Sequence, residues 1–350
     1  MSKLRWGIAA ALAVGLFAFG ALGPLRSGDS VAEPRIAAGD IAAPLIGGKD
    51  LDRAIQMLQR RVRAEPDDAR SLALLGLAYV NRARISFDPS YYPKAASVLR
   101  RALGIEARSF EATLGMGTLA LARHDFAEGL RWGRVAKRIN PYSAEARGVI
   151  GDALVELGRY RAAVRALQEM VDLRPALASF ARVSYARELL GDGSGAVAAM
   201  RRALQSAGAP PDASWASHQL GELHFNAGRL VAARRAYRRG LFLDPESVPV
   251  RAGLARVAAA RHRYGHAIDL LRKVTARVPS AEYVILLGEV YEAAGRPSAA
   301  TRQYRLLEGI ERLLESGGVN VDLEQALFDA DHGRARAALG AARAEWRRRK

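Results

Sequence analysis

The 350-residue chain predicts an all-α solenoid of repeated helix–turn–helix units, and three observations carry that prediction. Ala, Leu, Arg and Gly dominate while aromatics supply only 7% of residues, which favours helices packed through small side chains over sheets rich in Val, Thr and Tyr. A small residue, a second one twelve positions on and a proline twelve beyond that recur as Gly117, Gly129, Pro141 and as Gly151, Ala163, Pro175. Gly221, Ala233, Pro245 and Ala255, Ala267, Pro279 repeat the same steps. The prolines of these four sets are therefore 34, 70 and 34 residues apart, and self-similarity at such a period marks a repeat array.

The chain opens differently. Lys3 and Arg5 precede an uncharged run over residues 6–25, long enough to cross a bilayer as a helix and built like a signal peptide. Residues 1–32 thus read as a signal peptide, cut before Ala21 or Glu33, or as a retained signal anchor. Basic residues ahead of the run keep the N-terminus cytoplasmic and place the remainder extracytoplasmic, either anchored in an inner membrane or released as a secreted or periplasmic protein. Residues 33–50, with Pro34, Pro44 and the Gly47–Gly48 pair, read as a flexible linker.

Residues 51–350 form the solenoid, with a half repeat at 51–68 and about eight repeats starting near 69, 110, 144, 177, 214, 248, 281 and 319. In each, the small residue lets the first helix approach the second, and the later small residue returns the favour. Leu167, Met200, Tyr237, Leu271 and Tyr304 fall four positions beyond the second small residue, where they fill the core. Gly158, Gly191, Gly228, Gly295 and Gly333 fall between the paired helices, where a left-handed residue closes the first helix. The prolines end the second helices because they cannot extend the hydrogen-bond ladder. Two stretches break the period: seven extra residues around Phe87 to Pro93, read as an inserted loop carrying Tyr91 and Tyr92, and the stretch from Leu306 to Asn320.

At these steps the chain resembles the tetratricopeptide repeat family, whose signature runs Leu-Gly, aromatic, Ala, aromatic, Pro. Departures are the scarcity of the first-helix Trp and an aromatic after Leu-Gly that survives mainly as Tyr79 and Tyr291. The resemblance implies a right-handed superhelix that binds peptides or proteins in a concave face lined by first helices, without catalysis. At the lining positions it implies, the sequence places Glu145, Asp152, Glu156, Tyr185, Glu188, Trp215, His218, Glu222, Phe225, Asn226, Glu289 and Glu292, with Glu111, Glu282 and Asp331 in the same register. The basic entries are only Arg70 and Arg256. The positions that would capture a chaperone's terminal carboxylate hold Ala73, Leu77, Leu114 and Ala181, which lack the cations for that role.

The net charge of +17 must then lie elsewhere, and it falls on second helices and turns: Arg131, Arg134, Lys137 and Arg138; Arg201 and Arg202; Arg234, Arg235, Arg238 and Arg239; Arg272, Lys273 and Arg277. The expectation is a non-catalytic interaction scaffold of the cell envelope, binding basic peptide or protein segments in an acidic groove. The alternative is a binder of anionic polymer, nucleic acid or lipid surface through the Arg rows. Nucleic acid fits an exported chain poorly.

Chemistry is sparse. Zero Cys excludes disulfides, thiolate metal sites and a cysteine nucleophile. No HExxH, P-loop, dinucleotide or GxSxG motif occurs. His218 and Glu222 stand four apart on one helix with His224 close behind, but no third ligand is implied, so they read as groove polarity. No cofactor, metal or catalytic residue is expected.

Overall fold

Residues 48–349 are described in a computed structural model, and every regular element among them is an α-helix. The export segment and most of the linker lie outside the described residues. Among those that are described, no helix is long and apolar enough to cross a membrane.

Helix α1 (Gly48–Ala64) precedes eight successive pairs. These begin with α2 (Ala69–Ser86) and α3 (Tyr91–Ile105), α4 (Phe110–Ala122) and α5 (Phe126–Ile139), and α6 (Ala144–Glu156) and α7 (Tyr160–Leu173). Next are α8 (Leu177–Leu189) and α9 (Gly193–Gln205), α10 (Pro210–Asn226) and α11 (Leu230–Leu243), and α12 (Val248–Ala260) and α13 (Tyr264–Arg277). The last are α14 (Ala281–Ala293) and α15 (Pro297–Ser316), then α16 (Asp322–Asp331) and α17 (Ala335–Arg349). They divide into two compact units, one of residues 187–314 and one of residues 48–186 together with the segment from Glu315.

The helix starts are set locally. Asp68, Ser109, Asp125, Ser143, Asp192 and Ser280 each accept a hydrogen bond from a backbone N–H in the first turn of the helix they precede. Such a cap contributes about 1 kcal/mol by satisfying one of the four unpaired donors at a helix start. Gly158, Gly191, Gly228, Gly295 and Gly333 all have φ between 68° and 82°, the left-handed geometry that lets the first helix end and the chain reverse. Three pairs lack the glycine: His124 and His262 hold that position in two of them, with φ of 61° and 58°, and Phe87 in the first, with φ of 55°.

Packing follows the repeat. Within pairs, α2 packs on α3, α4 on α5, α6 on α7, α10 on α11, α12 on α13 and α16 on α17. First helices also pack on the first helices of the following repeat: α2 on α4, α4 on α6 and α10 on α12. The glycine at the centre of a first helix receives the large residue of its partner: a Cβ at Gly151 would collide with Leu167, at Gly221 with Tyr237 and at Gly288 with Tyr304. Leu99 serves two neighbours at once, lying against Gly76 and Gly115. Each such fully buried Leu contributes roughly 1.5–3 kcal/mol.

Three places depart from the periodic reading. The extra residues after Gly76 are taken up by helix rather than by an aromatic loop: α2 runs 18 residues to Ser86, left-handed Phe87 closes it, and Tyr91 and Tyr92 already belong to α3. Tyr92 is buried and Tyr91 packs on Tyr79, so this aromatic pair is spent on packing. Helix α10 begins at Pro210, ahead of the start near 214 that the period gives, because Pro210 and Pro211 suit the first positions of a helix where no N–H partner exists. The stretch from Leu306 loses the period because α15 extends for 20 residues.

Candidate functional site

The side chains carried by first helices hold the candidate site, and most of their carboxylates turn out to have cations. In the unit containing residues 48–186, Glu145 at the start of α6 accepts a hydrogen bond from Ser143 Oγ at 2.9 Å and pairs with Arg174 at 2.5 Å. Two turns further along α6 comes Asp152. Arg182 of α8, itself fully buried, grips it with Nε and Nη2 each 2.8 Å from a carboxylate oxygen. Burial pushes the Asp152 carboxyl above its ordinary value even against Arg182. Glu156, at the end of α6, lies 3.5 Å from the Tyr185 hydroxyl and 3.3 Å from Nη1 of Arg349. Burial raises its carboxyl to about 7, with Arg349 opposing and Asp152 adding to the rise. Tyr185 is itself buried, so it is a wall of this site more than an exposed anchor.

In the unit of residues 187–314, α10, α12 and α14 contribute a second group. His218 Nε2 stands 3.5 Å from a Glu222 oxygen, and the ring lies against Tyr237. Glu222 accepts a hydrogen bond from the Tyr237 hydroxyl and pairs with Arg256. The Arg256 guanidinium also covers the ring of buried Phe225, 4.3 Å from its centre. Burial works to raise the Glu222 carboxyl, but Arg256, His218 and Tyr237 together outweigh it and hold it below its ordinary value. Burial likewise lowers His218. Nearby Glu282 is less well compensated: burial first, then the charge of Glu222, lifts its carboxyl to about 7 against the opposing charge of Arg256.

The remaining residues are more dispersed. Asn226 Nδ2 donates to Glu188 at 3.0 Å. Trp215 is half-buried one turn before His218 on α10. Glu289 is half-buried and Glu292 exposed on α14, and both raise the hydroxyl of Tyr304 after burial has done so first. His218 and Glu222 do not form a metal set with His224: among the described residues no cluster of three ligating side chains occurs. The carboxylate is instead occupied by Arg256 and Tyr237.

The sequence places Arg256 in the lining register without pairing it to Glu222, and it passes over three further participants. Arg256 lies 34 residues after Glu222, so one repeat period already aligned the two on neighbouring first helices. Arg182 stands outside the lining register and had no such signal. Arg349 reaches Glu156 across 193 residues, a distance no period encodes. Asp212, in the added first turn of α10, is raised by burial to about 6.

On the second helices most of the basic residues are exposed. Some have local partners: Arg131 bonds Glu128, Lys137 Nζ lies 2.8 Å from Glu169, and Arg277 bonds Glu246. Arg234, Arg235, Arg238 and Arg239 of α11 are exposed together, next to Val231 and Phe242, whose side chains are likewise in solvent.

Comparison with known proteins agrees with this geometry. A family model described as the tetratricopeptide repeat matches residues 149–213, 189–248 and 252–309. No curated protein matches the chain with significance. Among solved structures, a chain of the APC/C hetero-tetramer Cut9–Hcn1 superposes with a TM-score of 0.57 at 17% identity, covering 73% of this chain and 49% of that one. This chain thus spans about half the length of that relative. A tetratricopeptide repeat protein from Parabacteroides merdae gives a TM-score of 0.54 at 13% identity, covering 73% of this chain and 95% of that one. A monomeric IFIT1 mutant solved with Gppp-AAAA gives 0.58 at 14% identity, covering 85% and 76%. Helix pairs of this length, turn and packing define an α-solenoid of the protein-interaction class. The matched residues carry tetratricopeptide repeats, which generally serve as non-catalytic scaffolds that bind protein partners.

Proposed function

We propose that this chain is a non-catalytic scaffold of the cell envelope that recruits basic peptide or protein segments on its acidic first-helix face. One observation carries the reading: Glu222 and Glu282 share a single guanidinium, Arg256, and among the described residues Glu282 makes no ion pair or hydrogen bond of its own. A sheltered carboxylate without a cation is costly, and a Lys or Arg from a partner relieves that cost. The envelope placement rests on the uncharged run at residues 6–25 behind Lys3 and Arg5.

The pH dependence of binding tests this. Below pH 7 Glu282 is mostly protonated and offers no charge; above it the carboxylate is free to pair. Affinity for a fluorescent Lys/Arg-rich nonapeptide is therefore expected to rise between pH 6 and pH 8, by at most about tenfold per unit for one linked proton. Glu282→Gln is expected to weaken binding and flatten the profile, and a Glu-rich nonapeptide is expected not to bind. Equal anisotropy titrations for both peptides would sink the proposal.

A second reading has its own support. The four exposed arginines of α11, flanked by Val231 and Phe242, have the make-up of a surface for anionic lipid or polymer. It concerns a different set of helices and is compatible with a membrane-tethered scaffold.

A further inference from the structure

The segment from Glu315 does not simply continue the array. It returns to the first unit, where Asn320 is clipped to the turn between α4 and α5. Its N–H donates to the Arg123 carbonyl at 3.1 Å, and its own carbonyl lies 2.7 Å from His124 Nδ1. His124 also approaches Glu324 to 3.7 Å. This is one of the two repeats whose turn position is a left-handed His where five others have Gly. A non-glycine residue in that conformation is uncommon, and at His124 the imidazole is what holds the clip.

Helix α17 then delivers an arginine. The Arg349 guanidinium stacks on the Phe126 ring at 4.7 Å from its centre, and Nη1 donates to the Glu156 backbone carbonyl at 2.8 Å and approaches its carboxylate at 3.3 Å. Glu345 and Arg348 brace the delivery: Asn320 Nδ2 donates to Glu345 at 3.0 Å, Arg348 pairs with Glu345 and Asp322, and Arg349 Nε bonds Glu345. An aromatic face, a carboxylate and a free carbonyl oxygen around one guanidinium make a recognition site for arginine. Glu156 is also one of the lining positions that the family pattern assigns to partner binding. We propose that Phe126 and Glu156 form an arginine-binding subsite for a helical partner segment, and that the α16–α17 hairpin keeps it closed with Arg349 as an internal ligand. This rests on the reading of the first-helix face as a site for basic segments. A partner's arginine must displace Arg349, so the hairpin lowers apparent affinity by the fraction of molecules in which it is docked.

The chain has no native Cys, so Ala127→Cys with Ala342→Cys takes a nitroxide pair on two exposed positions without further change. In the full chain, double electron–electron resonance is expected to show one narrow distance, broadened and lengthened by Arg349→Glu. The probe ligand is a synthetic peptide with the sequence of residues 335–349. Arg349→Glu is expected to bind it about tenfold more tightly than the parent chain, as release of a hairpin docked in nine molecules of ten requires. Glu156→Gln is expected to release the hairpin yet bind the peptide more weakly, an opposed pair of effects that loss of stability alone does not give. Equal affinity in parent and Arg349→Glu, or a distance unmoved by Arg349→Glu, overturns the subsite. If that equal affinity is abolished by Glu282→Gln, the wider reading of the acidic face stands while this one falls. Absence of peptide binding in every variant, including Arg349→Glu, removes both.

Discussion

Tyr237 lies between Gly221 and Gly253, close enough that a Cβ on either glycine would overlap its ring, while its hydroxyl bonds Glu222. The glycine thus admits the aromatic ring that positions a carboxylate of the candidate site. Gly309 on α15 meets nothing within 4 Å and is exposed. The same added methyl group should therefore have opposite signs at the two positions. Gly221→Ala is expected to destabilise by about 1–3 kcal/mol through overpacking. Gly309→Ala is expected to stabilise by about 0.5–1 kcal/mol, because alanine loses less conformational freedom in a helix. Urea denaturation of both variants checks this, and a neutral Gly221→Ala would mean that Tyr237 has room to move. Gly221 was readable from the period alone, since it stands sixteen residues before Tyr237, as Gly151 does before Leu167 and Gly288 before Tyr304. The pairing of Asp152 with Arg182 was not, because it depends on a side chain outside that register reaching between neighbouring first helices.

At the level of helices, the all-α reading and the turn glycines followed from spacing, because a proline or a left-handed glycine acts within a few residues. The aromatic insertion was misread for a related reason. Tyr91 and Tyr92 sit among turn-forming residues, yet burial of Tyr92 and the contact of Tyr91 with Tyr79 draw them into α3. Periodicity also separated acidic first helices from basic second ones, and α11 is where that separation is sharpest. Arg234 and Arg238 with Phe242 face solvent there. Each basic residue near an anionic bilayer contributes about 1 kcal/mol. Arg234→Glu with Arg238→Glu is expected to weaken co-sedimentation with phosphatidylserine-containing vesicles by about 30-fold or more, the equivalent of roughly 2 kcal/mol. The variant's affinity for the basic nonapeptide should not change, since Glu222, Arg256 and Glu282 lie on other helices. Equal sedimentation of the two proteins, or parent binding to purely zwitterionic vesicles, would rule out an anionic-surface role for α11.

For the molecule as a whole, stability in a solenoid is nearly a sum over repeats and their neighbours, so damage should stay local. The hairpin of α16 and α17 breaks that rule, because residues distant in sequence hold it: Arg123, His124, Phe126 and Glu156. No repeat period could have announced this, since the contact joins non-adjacent copies. It does predict which helices open together. In Gly117→Leu the new side chain meets Val149 and the Trp132 Cβ, so α4 to α7 should lose amide protection. The α16–α17 hairpin should lose protection with them, because its docking surface is the α4–α5 turn and the end of α6. In Gly288→Leu the collision is with Tyr304, so α14 and α15 should open while α16 and α17 stay protected despite being closer in sequence. Hydrogen exchange by mass spectrometry on the two full-length variants reads both patterns. If α16 and α17 exchanged fast in Gly288→Leu and slowly in Gly117→Leu, they would behave as the next step of a simple array. The hairpin would then owe its stability to its sequence neighbours and not to the first unit, and Arg349 could not be keeping a binding subsite closed.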